Sequence, residues 1–342
     1  MSLPSIGRRA APTLDAVAAE AGVSRSTVSR VVNRSPHVRP EVVSAVEAAI
    51  QALDYVPNRM ARSLANRQTM AIALVVPEDT VRFFGDPFFA QIVQGISQAL
   101  DNSDYVLNLQ LTAASAPSSK TIRYLLGGNV DGAIVVSHHS GDEFFTTLDA
   151  TIPVVFGGRP YAPNLHKDNA YVDVDNAAGA AQGTNYLIGL GRRRIATITG
   201  PANMQAAVDR EQGWRQAMTA AGLATDLVEH GDFTIVSGVS AMRRLLDRAP
   251  DLDAVFVASD LMAVGALSML RERGRAIPEQ VAVVGFDDSA AATSGEIGLT
   301  TVHQPSIEMG AEMARILLAQ LRGESVERQR IMPTSVVVRD SA

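Results

Sequence analysis

The sequence predicts an α/β chain, with a small three-helix head followed by doubly wound parallel sheets, most simply two. Three observations predict it. Apolar residues recur at helical spacing from Leu14 to Leu53. After Met70, short β-branched runs alternate with helical stretches, the pattern of parallel sheets covered by helices. At 342 residues the chain is too long for one small core, and the roughly 270 residues after Met70 suit two sheets better than one.

In the head, Thr13 is a plausible N-cap for a helix that places Leu14, Val17, Ala18 and Ala21 on one face. Gly22-Val23-Ser24 breaks that pattern. Glycine permits the turn and Ser24 caps a second helix running to about Asn33. Pro40 suits the first turn of a third helix, whose broad face carries Val42, Val43, Val46, Ala49, Ile50 and Leu53. Residues 57–69 come next, with helix formers but few apolar anchors, so this segment has little to hold it folded alone.

Beyond it, strands are expected at 71–76, 105–111, 132–136, 153–156, 171–174, 195–199, 254–258, 281–286 and 335–339. Helical stretches such as "FFAQIVQGISQALDN" and "DREQGWRQAMTAAG" lie between several of them. No low-complexity run or solenoid repeat interrupts the pattern.

Composition narrows the function. Cysteine is absent, which removes disulfides, thiolate metal sites and a cysteine nucleophile, and suits a reducing cytoplasm. No apolar run has the length of a membrane span or of a secretion signal, so a cytoplasmic location is expected. Charge is divided unevenly. Residues 1–69 hold nine arginines, no lysine and five acids, a balance of +4, so the chain's −6 leaves −10 for the remainder. A basic head on an acidic body points to a polyanion met by the head alone.

The stretch "GVSRSTVSRVVNRSP" shows how. Ser24, Arg25, Ser26, Thr27, Ser29 and Arg30 crowd the start of the second helix, while Val28, Val31 and Val32 can seat its other side. Hydroxyls and backbone N–H groups at a helix start bind phosphate, and an arginine slightly further on reaches guanine O6 and N7 in the major groove. This is helix-turn-helix logic, with Ser24–Asn33 as the reading helix. The alternative is a solvated helix in an unrelated bundle.

The segment from Thr13 to Ala65, with "AGVSRSTVSRVVN" and "YVPNRMARSL" as its most telling parts, resembles the head of the lactose-repressor (LacI/GalR) family of bacterial transcription regulators. "DPFFAQIVQGI", "VDGAIVV", "VDVDNAAGA", "DREQGW", "ASDLMAVGAL", "VAVVGFDDS" and "LTTVHQP" come in that family's order and spacing, so the likeness spans essentially the whole chain. It implies a helix-turn-helix domain at 1–56, a hinge helix at 57–69, and a two-subdomain, periplasmic-binding-protein-like (type I) core at 70–342. The N-subdomain is expected at about 70–168 plus 303–330, and the C-subdomain at about 169–302 plus 331–342. By the same likeness, Arg25, Ser26 and Arg30 fall where the family reads bases, and Leu64 where a leucine is wedged into the minor groove. Thr13, Ser24, Thr27, Ser29, Asn33, His37, Asn58 and Arg62 fall where it holds phosphates. The resemblance further implies a homodimer on a near-palindromic operator. The absence of a leucine-heptad tail after Val338 favours a dimer over a tetramer. Arg39 stands before Pro40 where the family usually has a capping serine, so the third helix is expected to start less firmly or to gain a phosphate contact.

In doubly wound sheets, ligands sit beyond the carboxyl ends of strands. Those ends carry Gly157-Gly158-Arg159, Asp209-Arg210, Ser259-Asp260, Asp287-Asp288 and Gln304, a set suited to clamping vicinal hydroxyls. Phe83, Phe84, Phe88, Phe89 and Trp214 are the aromatics available to stack on a sugar ring, and His138 lies at a strand end facing the expected cleft. The resemblance places Arg210, Ser259, Asp287 and Gln304 on effector-contact positions. The expected effector site is therefore Phe88, His138, Arg159, Arg210, Trp214, Ser259, Asp260, Asp287 and Gln304. Two residues depart from the family. Gly158 replaces a common aspartate, with Arg159 as its substitute, and Ser259 replaces a common asparagine. "GGRP", "ITGP", "GDF" and "VHQP" are most similar in texture to actinobacterial repressors that sense cellobiose or related β-glucosides.

The expected function is a repressor of sugar uptake or catabolism genes, released from DNA by a small sugar. Alternatives are the same fold using a corepressor such as a purine, or a sugar-binding protein with no regulatory role. An enzyme is not expected. No phosphate-binding G-x-x-x-x-G-K-[ST] or nucleophile elbow occurs, and "GLGRRR" precedes a strand instead of following one. Neither cofactor nor metal is expected, because adjacent His138 and His139 on a strand point to opposite faces.

Overall fold

The computed structural model describes residues 12–32, 35, 37–55, 68–112, 119–140, 144–161 and 169–342. The chain divides into two compact units, 1–69 and 70–342. In the first, α1 (Leu14–Glu20), α2 (Arg25–Val32) and α3 (Pro40–Ala52) enclose a small core of Val17, Ala18, Val28, Val46, Ala49 and Tyr55. The Thr13 hydroxyl accepts from the Ala16 N–H at 3.2 Å, capping α1 as its residue type predicts. Gly22, at φ 64°, makes the turn into α2, where the Ser24 hydroxyl accepts from the Thr27 N–H at 3.1 Å. Arg39 stands at the N-cap of α3 with no side-chain capping bond, as its departure from the family's serine predicts. The expected hinge helix, with Asn58, Arg62 and Leu64, lies outside the described residues, as does Asn33.

The second unit holds two six-stranded sheets. Its first elements are β1 (Ala71–Val76), α4 (Thr80–Gly85), α5 (Pro87–Leu100), β2 (Val106–Leu111), α6 (Ser119–Leu126), β3 (Gly132–Val136), α7 (Phe144–Asp149), β4 (Val154–Gly157) and β5 (Ala170–Val174). The chain then passes to α8 (Asn176–Gly189), β6 (Ile195–Thr199), α9 (Gln205–Ala220), β7 (Val228–His230), α10 (Ile235–Arg248), β8 (Ala254–Val257), α11 (Asp260–Glu272), β9 (Ala282–Asp287) and β10 (Thr300–His303). It returns through α12 (Ser306–Leu321) and β11 (Gln329–Met332), and ends with β12 (Ser335–Val337).

The first sheet has the order β11-β5-β4-β3-β1-β2 and the second β12-β10-β9-β8-β6-β7. All pairings are parallel except that of β10 with β12. The wholly buried strands β1, β3 and β8 read as unbroken apolar runs, as strands covered on both faces must.

The subdomain boundaries differ from the expectation. Residues 170–174 pair with β4 and β11 in the first sheet, and 329–332 belong there too. The chain therefore crosses between sheets after Val174, after His303 and after Met332, instead of at 169, 303 and 331. A short alternating strand carries no local signal of which sheet it joins; only the cross-strand partner decides. The edge strands β7 and β11, three and four residues long, were missed because they are too short and polar to show a period.

Close helix packing sets the sheet-one layer. A Cβ on Gly95 of α5 would collide with the Ile307 carbonyl of α12, and one on Gly310 of α12 with the Ile92 carbonyl. The two helices therefore approach backbone to backbone. Gly95→Ala is expected to lower stability by about 1–3 kcal/mol in denaturant unfolding, because backbone must shift to admit the methyl. Gly189→Ala, which would meet nothing within 4 Å, is the matched control and is expected to be neutral or stabilising.

Candidate functional site

Two surfaces carry the chemistry anticipated from the sequence. On the head, α2 turns Val28 fully inward while Ser24, Arg25, Ser26 and Arg30 are exposed. Ser24 Oγ lies 2.8 Å from both Ser26 Oγ and Thr27 Oγ1, so the hydroxyls at the helix start form one connected polar edge. Among the described residues Arg25 makes a single long contact, with Asp15 at 3.8 Å, and both side chains are 69% exposed, which leaves its guanidinium open to an outside anion. Thr13 and His37 are also exposed, and Ser29 and Thr27 half-buried. The head thus presents one hydroxyl- and arginine-bearing helix face to solvent, the arrangement that contacts phosphates and base edges.

The second surface is a cleft of about 680 Å³ within the second unit, bounded by both sheets. Phe88, Arg210, Ser259, Asp287 and Gln304 of the expected set line it. Arg210, on α9, is its centre. Its Nε donates to Asn176 Oδ1 at 2.8 Å and its Nη1 to the Ala258 carbonyl at 2.7 Å. Nη1 and Nη2 also reach Asp287 Oδ1 at 3.4 Å and Gln304 Oε1 at 3.3 Å, and the guanidinium stacks 3.6 Å over the Phe286 ring. Gln304 Nε2 donates to Asp287 Oδ1 at 3.2 Å, closing the triangle.

Burial shapes the ionisation of this group. Desolvation lowers the Arg210 pKa, with the Asp287, Asp173 and Asp260 carboxylates opposing it. Desolvation likewise pushes Asp287 well above the ordinary aspartate range against the pull of Arg210. Asp287 ends β9 at φ 112°, a conformation costly for any residue with a Cβ, so the surrounding structure holds its carboxyl toward the cleft.

Four expected residues do not line the cleft. Trp214 is fully buried among core apolar side chains, because on α9 it lies one helical turn, about 6 Å, beyond Arg210 and away from the opening. Asp260 is fully buried at the start of α11, where it accepts from Thr301 Oγ1 at 2.5 Å and the Ser289 N–H at 2.7 Å. It fastens β10 and the turn after β9. His138 sets a ring nitrogen 3.3 Å from the Gly158 carbonyl and packs edge-on against Phe156, buttressing the cleft floor from behind. Arg159 turns away to Asp209.

Sequence reasoning missed Arg82, Asp86, Ser137, Asp173, Met204 and Phe233, all of which line the cleft. Arg82, on α4, donates from Nη1 to the Asp232 carbonyl at 2.7 Å and lies 5.1 Å from the Phe233 ring centre, bridging the subdomains. The buried Glu78 carboxylate holds that corner, receiving Ser137 Oγ at 2.6 Å and lying 3.4 Å from Arg82 Nε and 3.2 Å from His139 Nε2. Asp86 caps α5 by accepting from the Phe88 N–H at 3.0 Å. Burial raises its pKa, offset by that N–H and by Arg82 and Arg210. The missed signal was positional, since "PEDTVRFFGD" directly succeeds the carboxyl end of β1, the same criterion that found Asp287.

Comparison with known proteins gives this geometry a context. Residues 13–58 match the model of bacterial regulatory proteins of the lacI family, and 184–342 that of the periplasmic binding protein-like domain. Over 338 residues the chain is 49% identical to the HTH-type transcriptional regulator CelR of Thermobifida fusca, covering 98% of this chain and 99% of that one. The chain belongs to the lacI family of bacterial regulatory proteins. This LacI-family protein is a DNA-binding transcriptional regulator, not an enzyme. It resembles a solved CelR–cellobiose complex with a TM-score of 0.76 at 47% identity, covering 97% of this chain and all of that one. It resembles the lac repressor dimer bound to operator and the anti-inducer ONPF with a TM-score of 0.83 at 27% identity, covering 97% and 99% of the two chains. Among the regulator's described residues no helix is long and apolar enough to cross a membrane.

The regulator's buried Asp260 gives a pH test. Desolvation raises its pKa from 3.8 to about 7, against the hydrogen bonds from Thr301 and Ser289. The folded state therefore binds the proton more tightly than the unfolded chain. The stability this site contributes is full below the ordinary aspartate value and is lost as pH climbs toward 7. In urea unfolding, the wild type is expected to lose stability relative to Asp260→Asn over that window; parallel profiles would remove the assignment.

Proposed function

We propose that this regulator is a homodimeric repressor of sugar uptake or catabolism genes, released from a near-palindromic operator by a small sugar, cellobiose or another β-glucoside. The observation that carries the effector reading is the convergence of Arg210, Asp287 and Gln304 in one cleft beside Phe88, Phe89 and Phe233. Vicinal hydroxyls need donors and acceptors fixed side by side, and a pyranose ring needs an aromatic face. The likeness to CelR, including the CelR–cellobiose complex, supports the choice of sugar, and the operator-bound lac repressor dimer supports the assembly.

The residues take these roles. Asp287 and Gln304 clamp hydroxyls, Arg210 fixes both and donates where its bonds to them are long, and Ser259 adds a hydroxyl. Phe88 stacks on the ring. On the head, Arg25, Ser26 and Arg30 read base edges, while Thr13, Ser24, Thr27, Ser29 and His37 hold phosphates. Asn33, Asn58, Arg62 and Leu64 complete the DNA contact set by family likeness. The sugar touches both subdomains, so its binding favours one mutual arrangement of them. It lowers operator affinity by the corresponding coupling free energy, about 1–3 kcal/mol.

Fluorescence anisotropy with the regulator's own promoter fragment tests this. Cellobiose is expected to weaken binding by about 5–150-fold. Asp287→Asn is expected to abolish that response while DNA affinity persists, and Arg30→Ala to weaken operator binding by about 1–3 kcal/mol with or without sugar. Operator affinity indifferent to every saccharide tested would overturn the effector reading. Tightening by sugar would reverse its sign.

A further inference from the structure

The chain enters the second unit at Met70, where its backbone has φ 51°, a conformation that residues other than glycine seldom adopt. Such a conformation persists only where the surroundings impose it. Three hydrogen bonds do so. The Met70 N–H donates to Asp131 Oδ2 at 3.0 Å, a partner 61 positions away, and the Met70 carbonyl accepts from the Val106 N–H at 3.0 Å. The next carbonyl, of Ala71, accepts from the Asp131 N–H at 2.8 Å. Asp131 thus grips the chain twice, by side chain and by backbone, just before β3, while β2 holds it from the other side.

Asp131 is itself oriented. The Tyr105 hydroxyl donates to its carboxylate, and Tyr105 directly precedes β2. Burial, and after it the Asp131 carboxylate, push the Tyr105 pKa up to about 12, so the hydroxyl keeps its proton throughout the ordinary pH range. Residues leading into both neighbours of β1 therefore close on one peptide at its start.

This cluster is remote from the cleft. β1 is wholly buried, paired on both sides and six residues long, so it sets about 20 Å between Met70 and the cleft-lining Arg82 beyond its other end. On the opposite side of Met70 lie residues 57–69, whose sequence offers few apolar anchors. A segment so poorly anchored by its own side chains takes its direction from whatever fixes its end. Freedom removed there in advance is freedom that DNA binding need not remove.

We propose that Asp131 is a positioning residue for operator binding: by holding the Met70 N–H it fixes where and in which direction the chain leaves the core for the DNA-reading head. It acts through Met70, not through a contact with DNA or sugar.

Fluorescence anisotropy of the full-length protein on its own promoter fragment, without sugar, tests this for wild type, Asp131→Ala, Asp131→Asn and Tyr105→Phe. Asp131→Ala is expected to weaken operator binding about tenfold. Asp131→Asn, whose amide oxygen still accepts from the Met70 N–H, is expected to recover most of that loss. Tyr105→Phe removes only the orienting hydroxyl. It is expected to weaken binding about threefold, and it decides the matter if Asp131→Ala does not fold. Cellobiose affinity, measured calorimetrically without DNA, is expected to stay at the wild-type value in every variant, because the cleft lies at the far end of β1. Operator affinity unchanged in both Asp131→Ala and Tyr105→Phe overturns the proposal. So does a loss of sugar affinity that matches the loss of operator affinity, since a residue that merely stabilises the core lowers both together. A wild type that binds no saccharide overturns the sugar reading alone. The operator comparison, made well below each variant's unfolding midpoint, needs no sugar and still decides the role of Asp131.

Discussion

The burial of one guanidinium organises the core of this regulator. Arg210 is 5% exposed, and a cation so placed is tolerated only where its donors are satisfied and its charge is opposed. The structure meets that demand with Asn176, the Ala258 carbonyl, Asp287, Gln304 and the Phe286 ring. Two of these partners have a special position. Asn176 opens α8 just after the first crossover between the sheets, and Gln304 lies in the second crossover. Asn176 also donates to Asp173 Oδ1 at 2.9 Å, at the end of the first sheet's β5. Arg210 therefore holds the ends of two connecting strands on which the subdomains must pivot.

This arrangement accounts for how a small ligand could matter to a large assembly. The Arg210 bonds to Asp287 and Gln304, at 3.4 and 3.3 Å, are longer than those to Asn176 and Ala258, at 2.8 and 2.7 Å. The short bonds fix the guanidinium and the long ones leave hydrogen-bonding capacity facing the cleft. A ligand hydroxyl that enters there competes with or supplements groups that also position the crossovers. At the opposite corner the two subdomains already touch through Arg82 and the Asp232 carbonyl, and through the Ser140 N–H and the Asn203 carbonyl at 2.9 Å. These polar contacts around the cleft add to an apolar cluster that already includes strands of both sheets, such as Ile72 and Val155 with Phe256 and Val284.

Much of this was legible in the sequence, for identifiable reasons. The buried strands β1 and β3 matched their predicted limits because unbroken apolar runs have sharp ends. The outward face of α2 was legible because Val28, Val31 and Val32 leave its polar residues only one direction to point. Asp287, Ser259, Arg210 and Gln304 were legible from their places beyond the carboxyl ends of strands. Trp214 and Asp260 were misplaced because residue type says nothing of depth: Trp214 lies one turn too far along α9, and Asp260 points beneath β9 instead of into the cleft. Arg159 was placed in the cleft because its partner Asp209, fifty positions distant, leaves no local sign that the side chain turns away. Arg82 depends on Glu78 and Asp232 in the same way, and such long-range pairings have no local pattern.

The central claim is that Arg210 makes Asp287 and Gln304 act as one clamp. A double-mutant cycle on cellobiose affinity, comparing Asp287→Asn, Gln304→Ala and the double variant by calorimetry, tests it most directly. Because both side chains bond the same guanidinium and each other, the losses should fall short of additivity by about 0.5–3 kcal/mol. Strictly additive losses would mean that the two residues meet the sugar independently, and the clamp centred on Arg210 would have to be abandoned.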